Sequence, residues 1–166
     1  MAKLLPITYF PCKDLRKKSK KVVDFKSKEF QQLILDMDKT MQEKDGLGLA
    51  APQIGKNINM VVINTSDGSI VLINPKIMRK SWKKESAEEG CLSLPDIYGM
   101  VNRHKIIRVT AFDKQGKKIK FIAEDLFARV IQHEIDHLRG VLFIDKAKEI
   151  TKGKDKLEEM KKNDYC

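Results

Sequence analysis

Apolar residues fall at helical spacing in two stretches of the chain and at strand-like spacing in several shorter ones. Phe30, Leu33, Ile34, Met37 and Met41 recur every three or four positions, which predicts one buried helical face. Ser27 precedes them, and its hydroxyl can accept from a backbone N–H that the first turn leaves unpaired. This helix should fray near Lys44-Asp45 and stop at Gly46; its methionines read as core. A second helix is predicted after Asp125. At about 100° per residue, Leu126, Phe127, Val130, Ile131, Ile135 and Leu138 form one apolar stripe, and Arg129, Gln132, Asp136 and Arg139 fall opposite. Asp125 would cap this helix with acidic charge at its positive end, and Gly140 would end it.

Between the helices the period changes. Residues 60–63 and 70–73 read as short buried strands joined by a turn at Ser66-Asp67-Gly68, with Asn74-Pro75 ending the second. Residues 76–82 alternate as a further strand in which Trp82 reads as packing, and residues 83–89 read as a charged connection. Residues 101–104 and 106–112 continue as strands. Asp113-Lys114-Gln115-Gly116 then turns the chain into residues 117–122 as a hairpin. Residues 1–24 read as an extended basic arm broken by Pro6 and Pro11. In the tail, residues 145–166, Leu157 and Met160 alone give a weak stripe, which predicts a marginal surface helix.

Composition adds bounds. A chain of 166 residues holds one domain with a proper core, and 42% hydrophobic with 34% charged residues describes a globular protein rather than a disordered one. No apolar run approaches the roughly 20 residues that cross a bilayer, and the first residues lack the apolar segment of a secretory signal. The expectation is a cytoplasmic protein with no membrane partner. Cys12, Cys91 and Cys166 are odd in number and widely spaced, so no disulfide framework is expected and a reducing compartment is. The net charge of +10 could steer the protein to nucleic acid. The cations are scattered, however, and no RNA-binding aromatic signature accompanies them, so they read as solvated surface with no sequence-specific nucleic-acid partner.

The chemistry concentrates in three segments. Gln132-His133-Glu134-Ile135-Asp136-His137 contains H-E-x-x-H, which on a helix sets two histidines one above the other so that they can grip one metal ion. Glu134 falls inside the apolar stripe, where a carboxylate costs several kcal/mol unless something compensates it. Glu89-Gly90-Cys91-Leu92-Ser93 places a cysteine on a bend suited to a thiolate ligand. Gly46-Leu47-Gly48-Leu49-Ala50-Ala51-Pro52-Gln53 admits close backbone approach and offers the Gln53 amide at a rigid position. Cys91, His133 and His137 make a three-ligand set with an open fourth position, which is the catalytic rather than the structural arrangement. A metal there would lower the pKa of water toward neutrality. Glu134 would move protons, and Gln53 with the Leu92 N–H would stabilise an oxyanion. Metal-assisted hydrolysis of an amide follows. Glu89 and Arg103 are candidates for an ion pair behind the ligands, and His104 reads as surface or structural.

Together, in this order, G-L-G-L-A-A-P-Q, E-G-C-L-S and Q-H-E-I-D-H resemble the three motifs of the peptide deformylase family, and the similarity runs from the N-terminal arm to about Ile144. The resemblance implies an α+β fold with antiparallel β-sheets around a central metal-binding helix. It implies removal of the N-formyl group from the initiator methionine of new polypeptides, with Cys91, His133 and His137 on the metal and Glu134 moving protons. Gln53, the Leu92 amide and the Gly48 backbone would hold the formyl or peptide groups. The metal implied is ferrous iron in the cell, with zinc, nickel or cobalt able to occupy the site. Some members dock a C-terminal helix on the ribosome, and transient ribosome association is a partner to consider here. Two other readings stay open on residues alone. A zinc peptidase usually draws His or Glu as third ligand, which the E-G-C-L-S segment argues against. A basic RNA-associated protein with an inert site is opposed by Glu134 and Gln53.

Overall fold

Two antiparallel sheets divide the strands between them in the computed structural model, which describes residues 1–163 and 166. In chain order the elements are α1 (Lys28–Glu43), β1 (Gly48–Ala50), β2 (Met60–Thr65), β3 (Gly68–Lys80), β4 (Lys84–Cys91), β5 (Leu94–His104), β6 (Ile106–Phe112), β7 (Lys118–Glu124), α2 (Asp125–Leu138), β8 (Glu149–Lys152) and α3 (Lys154–Met160). The first sheet runs β1-β2-β3-β6-β7 and the second β4-β5-β8. This is the expected mixture of helices and antiparallel sheets around the motif helix.

Strand β2 explains the arrangement. Its run Met60-Val61-Val62-Ile63 is wholly buried, because each face of the sheet has its own cover. Val61 and Ile63 join Ile131, Ile135 and Leu138 of α2 in one core, whereas Met60 and Val62 meet Ile34, Met37 and Met41 of α1 in another. An alternating pattern would have left one face wet; a continuous one needs two helices. Ser27 caps α1 as predicted, accepting from the Phe30 N–H at 3.3 Å. A third core lies under the second sheet, where Leu94, Ile97 and Val101 meet Phe143, Leu157 and Met160.

Several expectations give way. Asn74-Pro75 does not end its strand: β3 runs on to Lys80, and a register shift between Ile73 and Lys76 takes up the proline, which cannot donate to the ladder. Asn74 sits at φ 51 there, held by exchange of hydrogen bonds with the Val22 backbone. The charged connection at 83–89 is β4, polar because it is an edge strand with one open side. Trp82 is fully exposed between β3 and β4 and packs on no core. Asp125 does put its acidic charge in the first turn of α2, but no side-chain hydrogen bond caps the helix, and its carboxylate pairs with Lys105 at 3.4 Å. The basic arm contains a short 3-10 helix, Lys13–Arg16, and buries Phe10, Cys12 and Leu15. The tail buries Leu157 and Met160 instead of lying loose on the surface. Cys12 and Cys166 form a disulfide with 4.9 Å between their Cα atoms. A pairing 154 residues apart depends on the fold returning the tail to the arm, which cysteine spacing cannot reveal.

Gly140 ends α2 at φ 74, and a Cβ there would strike the Arg16 carbonyl oxygen. Replacing Gly140 with Ala should therefore cost about 1–3 kcal/mol of stability. Urea unfolding of the two proteins checks this, and an unchanged midpoint would contradict the contact.

Candidate metal centre

The turn from β4 to β5 faces α2, and the helix presents His133 and His137 one turn apart, with ring centroids 5.0 Å from each other. Cys91 ends β4, and its Sγ lies 3.3 Å from His137 Nε2. One ligand atom from each of Cys91, His133 and His137 falls within 4.8 Å of the other two. Ordinary metal–sulfur and metal–nitrogen bonds in a tetrahedral site separate such atoms by about 3.3–3.6 Å, so the set fits one ion after small movements. Soft sulfur beside two imidazoles suits a divalent transition metal.

Glu134 stands beside them, 4% exposed, with Oε2 buried and without a hydrogen-bond partner among the described residues. Burial pushes its carboxyl up to about 7, against the pull of His133. Gly48 of β1 makes room for it: a Cβ at that position would sit 2.5 Å from Glu134 Oε1. Gln53 is fixed at both ends of its amide. Oε1 accepts from the Ala50 N–H at 2.9 Å, and Nε2 donates to Cys91 Sγ at 3.3 Å and to Ser93 Oγ at 3.2 Å. Gly48, Gln53, Cys91, Leu92, His133 and Glu134 line one cleft of about 290 Å³, with Leu47, Leu126 and Val130 on its apolar side. The structure thus gathers all seven predicted residues around one place; His137 enters through its contact with Cys91. Leu126, read as part of the core stripe, is 59% exposed and belongs to the cleft wall.

Behind these three side chains lies a buried ionic cluster. Glu89 Oε2 accepts from His133 Nδ1 at 2.9 Å, and Glu89 Oε1 accepts from both Arg103 Nε and Arg129 Nη1 at 2.9 Å. Arg103 Nη2 reaches Glu89 Oε2 at 3.0 Å, while its Nη1 donates to Asp136, which also receives Lys146. Arg129 finishes its donors on the Val101 carbonyl at 2.8 Å and on that of Glu85. Burial alone would raise Glu89, but hydrogen bonds from His133 and Arg103 hold its carboxyl far below the usual range. Burial would likewise lower His133, and its bonds to Cys91 and Glu89 carry it well above the ordinary value. That pull of anions on a positive charge is the same pull a bound cation would feel. His137 is driven well below its ordinary value, first by burial and then by the positive charges of His133 and Arg103.

The polar side of α2 is therefore not a solvent face. Arg129, Gln132 and Asp136 are all buried against the second sheet, and Gln132 exchanges hydrogen bonds with the His104 backbone at 2.8 and 3.1 Å. Helical spacing finds apolar stripes and is silent about polar ones that meet a charged partner elsewhere. The available signal was the balance of Arg103, Arg129, Glu89 and Asp136. The Glu89–Arg103 pair expected from sequence is present.

Three metal-type ligands with a buried carboxylate beside them, in an antiparallel framework, are the arrangement of a metal-assisted hydrolase. Comparison with known proteins narrows the class. The family model for polypeptide deformylase matches residues 4–153. Peptide deformylase 1 of Clostridium acetobutylicum is 50% identical over 135 residues, covering 81% of this chain and 89% of that protein. A peptide deformylase from Synechococcus elongatus, solved in complex with actinonin, superposes with a TM-score of 0.85 at 41% identity, over 94% of this chain and 83% of that one. A Met-Ala-Ser-bound class I type b peptide deformylase from Acinetobacter baumannii superposes with a TM-score of 0.83 at 30% identity, over 88% and 99%. The chain belongs to the polypeptide deformylase family.

Glu89 is the shared acceptor of two buried arginines, so Glu89→Gln leaves both undercompensated. The expected loss is about 3–5 kcal/mol, read by chemical denaturation at neutral pH. A loss below about 1 kcal/mol would mean the cluster contributes little.

Proposed function

We propose that Cys91, His133 and His137 hold one divalent metal ion, ferrous in the cell, with zinc, nickel or cobalt as possible replacements, within a single catalytic domain. The reaction is hydrolysis of the formamide bond at the N-terminal formyl-methionine of newly synthesised polypeptides, releasing formate. The observation that carries this assignment is the unpartnered, buried Oε2 of Glu134 beside the three ligand-type atoms.

When bound, the metal lowers the pKa of water toward neutrality and polarises the carbonyl. The remaining work falls to side chains of this chain. Glu134 takes the proton from the attacking water as its oxygen adds to the formyl carbon. It then gives that proton to the amine nitrogen as the C–N bond breaks, since an unprotonated amide anion is a prohibitively poor leaving group. The Leu92 N–H, with the Gln53 Nε2 hydrogen that otherwise points at Cys91 Sγ, donates to the oxygen on which charge accumulates, while the second Nε2 hydrogen stays on Ser93. Gly48 keeps its Cβ position clear of Glu134 and leaves its own backbone free to hold the peptide. Leu126 and Val130 offer an apolar wall to a methionine side chain. The Met-Ala-Ser bound by the Acinetobacter relative has the sequence such a product would have. The same reading puts the enzyme in a bacterial-type cytoplasm, or an organelle stroma or matrix, with transient ribosome association where formylated chains emerge.

The test is formate release from formyl-Met-Ala-Ser by anaerobically purified, metal-loaded protein. Glu134→Gln should keep its metal and its fold while losing about 10²–10⁴-fold in rate, and the acetylated peptide should be cleaved far more slowly than the formylated one. Near-normal turnover by Glu134→Gln, or inactivity traced to lost metal and unfolding, would contradict the role given to this carboxylate.

A further inference from the structure

The first sheet has a second face, turned away from α2, and α1 covers it over β1 and β2. Phe112 at the end of β6 still meets Phe25, with ring centroids 5.4 Å apart. Past it, the outward side chains of β3, β6 and β7 are left in solvent. Their register sets Lys76, Thr110 and Lys120 in one row across three strands, and Arg79, Arg108 and Ile122 in another. Lys118 lies two residues from Lys120 on the same side, and Lys21 of the arm closes the edge. These residues line a groove of about 580 Å³ that contains six cations and no carboxylate.

Two further observations separate this groove from an ordinary solvated surface. Arg79 and Arg108 are direct cross-strand partners, and like charges so placed repel. None of the six cations takes part in an ion pair among the described residues, although the chain forms such pairs elsewhere. The fold has gathered cations from four separate segments and left their repulsion uncompensated. Apolar groups stand among and beside them. Met78 and Ile122 are 58% and 56% exposed on this part of the sheet, and Trp82, two residues past the end of β3, is fully exposed.

We propose that this face binds single-stranded RNA without sequence preference, the cations on successive phosphates and Met78, Ile122 and Trp82 against bases. Unpaired cations in a groove match a chain that carries one negative charge per nucleotide, and the exposed indole of Trp82 suits an unstacked base. A lipid surface is a poorer match, because a membrane plane does not follow the floor of the groove at Thr110 as a strand can.

The experiment is fluorescence anisotropy of a labelled oligouridine titrated with the full chain over a series of salt concentrations. Arg108→Ala with Lys120→Ala should weaken binding on the order of tenfold and flatten the log–log salt slope by about 1.4, which is two phosphates at about 0.7 each. Trp82→Ala should weaken it by about tenfold with the slope unchanged. Removing the same charge at Lys154 and Lys162 should alter neither, and formyl hydrolysis in all these variants should stay at the parent rate, which also shows that they fold. Equal loss from the Lys154 and Lys162 control would reduce the effect to net charge. Unchanged affinity in the double variant would place binding elsewhere. Tighter binding to phosphatidylserine vesicles than to RNA, lost in the same double variant, would make the partner a membrane. Each of these outcomes overturns the proposal.

Discussion

One carboxylate organises the centre. Glu89 accepts from Arg103, Arg129 and His133 at once, and in doing so ties a strand of the second sheet to the helix that packs on the first. Burying two guanidinium groups and a carboxylate is expensive unless nearly every donor and acceptor is used; here Asp136, Lys146 and the Val101 and Glu85 carbonyls complete the set. The return is positional. His133 is oriented through its Nδ1 on Glu89, and Cys91 stands two residues from Glu89 on the same strand. The orientation of the His133 ring and the placing of Cys91 therefore share one anchor, the arrangement by which carboxylates steer histidines in metal sites.

What could be read in the sequence follows from which forces are local. The helix spacing of Phe30 to Met41, the Ser27 cap and the apolar run of β2 declare themselves because each involves neighbours in the chain. H-E-x-x-H and the two companion motifs could be read for the same reason, and the structure brings all three to one cleft. The missed features are long-range. Arg129 and Asp136 look like solvent residues until Glu89 and Arg103 arrive from another sheet. Asn74-Pro75 looks like a strand end because proline donates nothing, yet a bulge absorbs it. The Cys12–Cys166 bond and the burial of Leu157 and Met160 both depend on the tail folding back, which no local pattern encodes.

The first sheet also separates two kinds of chemistry. Its α2 side is dry and carries the helix of the hydrolytic centre. Its other side, past the reach of α1, is wet and cationic. Scattered lysines and arginines that look like a diffuse surplus along the chain become a localised field once strand pairing sets them side by side, so net charge alone said little about where that field lies.

The proposed metal ion would join the β4–β5 turn to α2 through Cys91, His133 and His137. X-ray absorption at the metal edge of the cobalt- or zinc-loaded protein reads that directly. The predicted spectrum requires one sulfur scatterer at about 2.3 Å and two imidazole nitrogens at about 2.0–2.1 Å, with one equivalent of metal per chain. A first coordination sphere without sulfur, or with only one imidazole, would contradict it.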